Sequence, residues 1–240
     1  MGVYTIALGH GSNVFAIVRG PYSAKVVKLT IGEIPDDEEI IVEFGERGEG
    51  SGQFTWPAGI AVDSQENVFV TDEWLHRVSV FTADGEFLRT FGTAGNGEGQ
   101  FNRPSGITID SNDDIYISDS LNHRIQKVSN DGRFINQWGS HGADAGEFNS
   151  PWGITADGQG HVYVADHKNH RIQKFNADGE FVFELGSHGK GDNQFDHPSS
   201  VAVDSDGEIY VCDWANNRVQ IFGPDGKFIT SRNPDDIPAF

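Results

Sequence analysis

Apolar and polar residues alternate along the chain in short runs of β-branched and aromatic side chains. In the best-defined stretch the runs are Gly59–Asp63, Asn67–Asp72 and Arg77–Phe81, and this alternation is typical of half-buried β-strands. A fourth run follows Asp84-Gly85, a dipeptide that tolerates the positive φ angles of a type I′ turn. The pattern therefore predicts four short antiparallel strands, with a tight hairpin joining the third to the fourth.

This four-strand pattern recurs four times, every 47 residues, without an insertion. The constant positions include a phenylalanine and a proline in each copy: Phe54, Phe101, Phe148 and Phe195, and Pro57, Pro104, Pro151 and Pro198. A period of this length indicates stacked units that cannot bury their apolar faces alone. Four antiparallel strands per unit form the blade of a β-propeller, so the expected fold class is all-β, built as a β-propeller of four-stranded blades.

The repeated motif also resembles a known family. The unit reads Gly-Gln-Phe-x-x-Pro-x-Gly-Ile-x-x-Asp, then an apolar strand ending in Asp, then Asn-His-Arg-Ile-Gln and Asp-Gly; it appears as Gly99–Asp110 with Asn122–Gln126 and again around Asn169–Gln173. This resembles the NHL repeat over residues 44–231. The resemblance implies a propeller but little about activity, because the family includes ubiquitin-ligase substrate-binding domains, RNA-binding domains, sensor domains and one amidating lyase.

The repeat predicts one domain over residues 1–231. We expect a degenerate blade followed by four regular blades and a tail, at residues 1–44, 45–91, 92–138, 139–185, 186–231 and 232–240. The degenerate copy has Val18 in place of the strand-ending Asp, and the acidic loop Gly32–Glu39 replaces its tight turn. Relatives typically have six blades, so the chain either closes with five, pairs with another molecule, or is a fragment. We favour a fragment, because Ser231–Phe240 holds no obvious ring-closing strand.

Composition narrows the range of partners. The formal net charge is −19, from 36 acidic and 17 basic side chains, and such a field repels phosphate backbones, so nucleic acid is not an expected partner. No apolar run approaches the roughly 20 residues of a membrane span, and no signal peptide is visible, so we expect no membrane insertion and favour the cytoplasm. The single cysteine, Cys212, lies in an alternating strand and is predicted to be a buried structural thiol.

An Asp and an Arg flank the same turn in every regular copy. An Arg fork can hold a carboxylate bidentately and tie the second strand to the third. Because four identical copies favour architecture over catalysis, we interpret these residues as structural pairs: Asp72 with Arg77, Asp119 with Arg124, Asp166 with Arg171, and Asp213 with Arg218.

The histidines raise the question of a metal. His76, His123 and His170 are equivalent, and three imidazoles could ligate zinc, but repetition alone explains their spacing and we favour structural or surface positions. The amidating-lyase resemblance implies zinc-binding histidines directly after the repeat proline. Those positions are Ala58, Ser105, Trp152 and Ser199 here, and His197, which precedes its proline, is a poor substitute. No cofactor and no catalytic residue is therefore predicted, with zinc or calcium left as an alternative.

The candidate binding surface consists of the longer loops, which leave the sheet on the face opposite the Asp-Gly turns. These loops carry a net charge of only −4, together with most of the tryptophans. Large aromatic side chains in loops are enriched in binding hot spots. The candidate ligand-binding residues are Trp74, Trp214, Trp56, Trp152, His141, His167 and His188. An alternative for Trp56 and Trp152 is packing beside their prolines.

Two functional hypotheses follow. The first is a non-enzymatic interaction module that presents this loop face to a protein, a peptide or a small ligand. The alternative is a metal-dependent propeller enzyme, either an amidating-lyase-like lyase or a lactonase-type hydrolase. RNA binding, as in some members of the family, needs a basic face, and the sequence offers none.

Overall fold

The computed structural model describes residues 2–9, 13–30 and 39–233. Most of the predicted acidic loop, residues 32–38, and most of the predicted tail, residues 234–240, lie outside the described residues. Among the residues described, no helix combines the length and hydrophobicity needed to cross a bilayer.

The chain forms five four-stranded antiparallel sheets, which we number blades 1 to 5 in chain order. The strands of blades 1 and 2 are Gly2–Leu8, Asn13–Gly20, Ser23–Thr30 and Glu39–Phe44, then Pro57–Val62, Val68–Asp72, Arg77–Phe81 and Phe87–Phe91. Blade 3 contains Pro104–Ile109, Ile115–Asp119, Arg124–Val128 and Phe134–Trp138. Blades 4 and 5 contain Pro151–Ala156, Val162–Asp166, Arg171–Phe175 and Phe181–Leu185, then Pro198–Val203, Ile209–Asp213, Arg218–Phe222 and Phe228–Arg232. The predicted β-propeller architecture is confirmed, including the degenerate first blade.

Short elements complete the loops. The two-residue strands Thr93–Ala94 and Gln100–Phe101 pair in parallel, and three 3₁₀ turns follow the second strands of blades 3 to 5, at Ser120–Asn122, His167–Asn169 and Trp214–Asn216. The described chain divides into two compact units, residues 1–115 with 128–134 and residues 116–127 with 135–240, and the division passes through blade 3.

The repeated phenylalanine packs in the hydrophobic clusters between neighbouring blades. Phe54, Phe101, Phe148 and Phe195 are all fully buried. Phe148 packs against Phe175 of its own blade with ring centroids 5.5 Å apart, and Phe195 packs against Phe222 in the same way at 5.8 Å. Phe148 shares a buried cluster with Tyr116 and Ile125 of blade 3 and with Val162 of blade 4, so its ring fills the space between two sheets and the phenylalanine period is a packing requirement.

Neighbouring blades approach most closely at the glycine of the first strand. A Cβ atom on Gly153 of blade 4 would lie 2.6 Å from Cα of Ser200 in blade 5, and one on Gly59 of blade 2 would clash with the carbonyl oxygen of Ser105 in blade 3. Only glycine permits this contact. Blade 5 carries Ser200 at the equivalent position, and this residue is exposed.

The Asp-Gly hairpins form as predicted, but their turn type differs. In blade 2 the amide of Gly85 donates to the Thr82 carbonyl, and the Thr82 amide donates to the Glu86 carbonyl. Gly85 has a φ of 84°, whereas Asp84 is not among the residues with positive φ. The turn is thus a type I turn followed by a left-handed glycine, and the predicted type I′ turn is wrong. The three-residue connection needs positive φ only at its last position.

The Asp–Arg pairs differ from the predicted bidentate contact. In blades 3 to 5 Nε of Arg124, Arg171 and Arg218 donates to Oδ2 of the paired aspartate at 2.8 Å, and these aspartates are completely buried. The other guanidinium nitrogens donate to backbone carbonyls and to side-chain oxygens such as Glu184 Oε2, which lies 2.7 Å from Nη1 of Arg171. Nη2 of Arg171, for example, donates to the Asp144 and Glu147 carbonyls at 2.9 and 2.8 Å.

Blade 2 lacks this ion pair. Nε of Arg77 is buried without a hydrogen-bond partner, while the Asp72 carboxylate accepts the amides of Thr55, Trp56, Trp74 and Leu75. In blade 4 the side chains of Asn169 and Gln173 donate to Oδ2 of Asp166. Blade 2 has Leu75 and Ser79 at these two positions, so it lacks both side-chain donors that hold the carboxylate toward the arginine.

The prediction that Cys212 is buried is wrong, because its side chain is exposed. The equivalent residues Thr71, Ser118 and Ala165 are completely buried. Thr71 donates to the Ser105 carbonyl in the next blade, and Ala165 packs in one cluster with Val201 of the next blade. Strand alternation correctly placed Cys212 on the sheet face that Thr71 and Ala165 share. It does not specify whether another blade covers that face.

We predict that Arg171→Ala lowers the free energy of unfolding by about 3 kcal/mol, because it leaves the buried Asp166 carboxylate without its cation. Urea denaturation followed by circular dichroism measures the change. Arg133→Ala is the matched control, since Arg133 pairs with Asp131 at an exposed position and should leave the midpoint unchanged. Equal midpoints for Arg171→Ala and the unmodified chain would contradict the structural interpretation.

We also predict that one thiol per native chain reacts with a chromogenic disulfide reagent without denaturant. Surrounding protein raises the pKa of the Cys212 thiol, so the reaction should be slower than that of a small free thiol at the same pH and should accelerate as pH rises. Cys212→Ser should not react. Labelling that begins only after unfolding would show that the thiol is covered.

Candidate functional site

The interblade loops are held by the buried aspartate and arginine of the blade that follows them. In blade 5 the amide of Asp196 donates to Oδ1 of Asp213 at 2.7 Å, and Nη2 of Arg218 donates to the carbonyls of Gly191 and Gln194 at 2.7 and 2.8 Å. These bonds use the loop backbone only. Loop side chains that make no bond of their own to the loop can therefore vary between copies, whereas Gln194, whose Oε1 accepts the Gly191 amide, is part of the loop structure.

The repeated histidine also bonds to the loop backbone. Nδ1 of His76, His123 and His170 accepts the amide of the residue before the next repeat proline, at 3.1 Å in each case: Arg103, Ser150 and His197. Each histidine has a positive φ, from 53° to 56°, and Asn217, which replaces it in blade 5, has a φ of 51°. Asn adopts this left-handed conformation readily. One lone pair of each repeated histidine is thus engaged by the scaffold.

Three predicted site residues meet in the second unit. The rings of Trp152 and His167 stack with centroids 3.8 Å apart and planes 13° apart, and the Trp214 ring lies 6.3 Å from His167. We call Trp152, His167 and Trp214 the aromatic cluster. His167 is buried, Trp152 is half-buried, and Trp214 is 64 % exposed. The cluster presents aromatic area to solvent above a fixed imidazole.

His167 is held in one tautomer. Its Nδ1 lies 3.1 Å from the Pro198 carbonyl oxygen, which can only accept a hydrogen bond, so Nδ1 carries the proton and Nε2 keeps its lone pair. Burial lowers the pKa of His167 to about 4, so the ring is neutral at physiological pH. The stacked pair is therefore uncharged.

A second group, which we call the histidine cluster, adjoins the first. It consists of His170, His188, His197 and Asp196, and the His170 ring centroid lies 4.3 Å from that of His188 and 4.5 Å from that of His197. His197 is also 4.9 Å from His167 of the aromatic cluster. Nδ1 of His197 lies 2.6 Å from Oδ1 of Asp196, and this hydrogen bond, together with the nearby imidazoles, lowers the pKa of the Asp196 carboxyl.

His170 belongs to both the scaffold and this cluster. Burial, followed by the neighbouring rings of His188 and His197, lowers its pKa, so the neutral form is favoured. His188, a predicted site residue, is largely exposed. His141, the corresponding prediction one repeat earlier, packs on His123 with centroids 4.4 Å apart, and burial and His141 lower the pKa of His123.

The remaining predicted residues, Trp56 and Trp74, lie in the first unit and are 49 % and 60 % exposed. The Arg19 guanidinium sits over the Tyr4 ring at 3.4 Å and over the Trp56 ring at 4.6 Å, a cation–π arrangement. Trp56 and Arg19 line a groove of about 230 Å³ with Arg47. Trp56 thus contributes to a concave surface.

A partly buried carboxyl lies close to Arg103 in the same unit. Oε2 of Glu73 is 3.7 Å from Nε of Arg103. Burial raises the pKa of Glu73, although Arg103 and Arg19 oppose the shift. Glu73 occupies the same repeat position as His167 and Trp214, so one loop position carries an acid, an imidazole and an indole in different copies.

The sequence interpretation missed Arg19, Glu73, Asp196 and His197 as site residues. A signal for the last two was present. Their equivalents one repeat earlier are Asn149 and Ser150, so the carboxylate and the extra imidazole are departures from the period. Arg19 had no such signal, because blade 1 is too degenerate for comparison.

We predict that Glu73→Gln raises the free energy of unfolding at neutral pH. The folded pKa of Glu73 lies above its unfolded value, so the protonated form favours folding below about pH 4.3, and this contribution is lost as pH rises through the folded pKa. The uncharged glutamine side chain of Glu73→Gln does not lose stability in this way as pH rises. The gain, measured by thermal or urea unfolding across pH, should shrink as the pH approaches 4.

Glu98→Gln provides the control, because Glu98 is exposed and should give no gain at any pH. A loss of stability in Glu73→Gln at neutral pH would show that attraction by the two arginines outweighs burial.

Comparison with known sequences places these features in a family. The NHL repeat model matches residues 54–81, 101–128, 148–175 and 195–222. A segment of 43 residues is 44 % identical to protein brain tumor from Drosophila melanogaster; the match covers 18 % of this chain and 4 % of the fly protein.

Comparison with solved structures supports the propeller fold. A catalytically inactive variant of virginiamycin B lyase from Staphylococcus aureus with quinupristin has a TM-score of 0.69 and 16 % identity, over 96 % of this chain and 69 % of that chain. A streptogramin B lyase has a TM-score of 0.67 and 16 % identity, over 97 % of this chain and 83 % of that chain. A Bacteroides caccae protein of unknown function has a TM-score of 0.65 and 13 % identity, over 95 % and 76 %. At these identities the likeness shows the fold alone. With four matched repeats on five four-stranded blades, the chain belongs to the NHL-repeat β-propeller family.

Proposed function

We propose that the chain is a non-enzymatic interaction module that binds a protein or peptide through the aromatic cluster Trp152, His167 and Trp214. The observation that carries this proposal is the stacked Trp152–His167 pair beside the exposed Trp214 indole. Rigid aromatic side chains offer large contact area at low entropic cost, and tryptophan is enriched in hot spots.

The repeat itself does not require these aromatic residues. The positions of Trp152 and His167 are Ser105 and Ser120 one repeat earlier, and Ser120 donates to the Pro151 carbonyl as His167 does to Pro198. Serine therefore satisfies the same interblade hydrogen bond. The imidazole ring of His167 also stacks on Trp152, and the hydrogen bond to the Pro198 carbonyl does not require that stacking.

Charge narrows the partner. The chain carries a net charge of −19, and the neutral His167 ring adds no positive charge to the aromatic cluster. An acidic or polyphosphate ligand would be repelled, whereas a neutral or basic peptide with an apolar side chain fits both the potential and the aromatic surface.

A metal-dependent propeller enzyme is the second candidate. It is favoured by one observation, the clustering of His170, His188 and Asp196 beside the aromatic cluster. If the chain shared the lyase activity named for its structural neighbours, it would convert quinupristin in the presence of a divalent ion, which mass spectrometry would detect. We expect quinupristin to remain intact.

A display selection tests the binding proposal. We predict that a random peptide library, selected on the full chain, yields neutral or basic peptides containing an aromatic or aliphatic residue. The best selected peptide should lose more than tenfold in affinity, about 1.4 kcal/mol, for a Trp152→Ala, Trp214→Ala double variant, measured by fluorescence polarisation.

The matched control is Trp56→Ala with Trp74→Ala, which removes two exposed indoles from the other unit and should leave the affinity unchanged. Circular dichroism confirms that both variants fold. Selected peptides that bind the Trp152, Trp214 variant as tightly as the unmodified chain, or a selection without enrichment, would contradict the proposal.

A further inference from the structure

The repeat does not account for the carboxylate of Asp196. Its backbone amide makes the loop bond to Asp213, and Asn149 makes the same amide bond to Asp166 one repeat earlier, at 2.7 Å in both. The equivalent residues in blades 2 and 3 are Thr55 and Asn102. The scaffold therefore needs the backbone at this position and accepts several side chains. The acid is particular to the last copy.

Two imidazoles lie within reach of this carboxylate. Oδ1 of Asp196 is 3.7 Å from Nδ1 of His170 and 3.8 Å from Nε2 of His188, and one ligand atom from each of the three side chains lies within 4.8 Å of the others. Tetrahedral coordination with bonds near 2.0 Å separates ligand atoms by about 3.3 Å. The three atoms thus need to approach by less than about 1.5 Å to share an ion.

The group has both mobile and fixed members. The His188 side chain is 68 % exposed and can adjust its position, whereas His170 is anchored at the end of a 3₁₀ turn. His197 holds the carboxylate from the side through its 2.6 Å contact with Oδ1. An outer hydrogen bond that orients a ligating group is typical of metal sites.

We propose that His170, His188 and Asp196 form a binding site for a divalent transition-metal ion of the zinc class. Two imidazole nitrogens and one carboxylate oxygen suit zinc and its neighbours, whereas magnesium and calcium prefer oxygen ligands throughout. Three protein ligands leave a fourth position for water or for a partner's side chain. Coordination at Nδ1 of His170 takes the place of the hydrogen bond from the His197 amide.

The preceding repeat provides an internal comparison. His123 and His141 pack as His170 and His188 do, with centroids 4.4 Å and 4.3 Å apart, and Nδ1 of His123 accepts the Ser150 amide. Asn149 replaces the carboxylate there. If the carboxylate decides binding, the earlier copy is a natural negative control with the same backbone.

Zinc titration of the full, metal-stripped chain tests the proposal by calorimetry and equilibrium dialysis. We predict one equivalent of zinc per chain, and an affinity at least tenfold lower for Asp196→Asn and for His188→Ala. His141→Ala should bind like the unmodified chain. Magnesium and calcium should not compete at concentrations that saturate a zinc site.

Cobalt(II) gives a second readout that does not depend on stability. Bound at this site, it should show visible absorption typical of a four-coordinate ion, and Asp196→Asn should abolish that absorption while the circular dichroism spectrum stays the same. Asn149→Asp should raise the stoichiometry from one to two.

Three results would overturn the assignment. They are the absence of stoichiometric zinc in the unmodified chain, equal affinity in Asp196→Asn, and equal losses in His141→Ala and His188→Ala. If a folded Asn149→Asp variant still binds only one zinc ion per chain, the carboxylate does not decide whether the histidine pair binds metal. None of these measurements uses the aromatic cluster, so they are independent of the peptide-binding proposal.

Discussion

The buried aspartate at the end of each second strand is the constraint on which the loop face depends. Asp166 has no exposed surface, and its carboxylate accepts hydrogen bonds from the Asn149 amide, the Asn169 side chain and Nε of Arg171. Burial raises the pKa of this carboxyl, while those donors and the arginine favour its charged form. A charge removed from water is tolerable only with such partners. The same arginine then grips the loop carbonyls, so satisfying one buried charge fixes the loop that displays the variable side chains.

Much of the fold could be predicted because its repeat unit is a packing unit. The phenylalanine period marks the hydrophobic clusters between blades, and the glycine of the first strand marks a point where two backbones come close; both follow from shape. The wrong predictions of burial and ion pairing arose because both depend on residues outside the repeat unit or on positions that differ between copies. Cys212 shares its strand position with buried Thr71, and Arg77 shares its position with paired Arg171, yet each has different surroundings.

The candidate site could be predicted only in part. Loop position identified Trp152, His167 and Trp214, but their adjacency depends on how blade 4 packs on blade 5, which linear spacing does not reveal. Asp196 and His197 were overlooked for a different reason. Both residues precede the repeat proline, where the repeat implies no ligand, although their side chains depart from Asn149 and Ser150 of the preceding copy. In a repeat protein, the role of a residue's backbone and the chemistry of its side chain have to be assessed separately.

The loops are fixed through their backbones, and this bears on how such a protein evolves. A duplicated blade keeps the hydrogen bonds that hold its loop backbone. Its exposed side chains can therefore be substituted without loss of the loop conformation. The group around Asp196 differs from the His123–His141 pair in two side chains, an acid where the earlier copy has Asn149 and an imidazole where it has Ser150. These exchanges require no insertion and no rearranged strand, so the exposed chemistry of this scaffold can change by side-chain substitution alone.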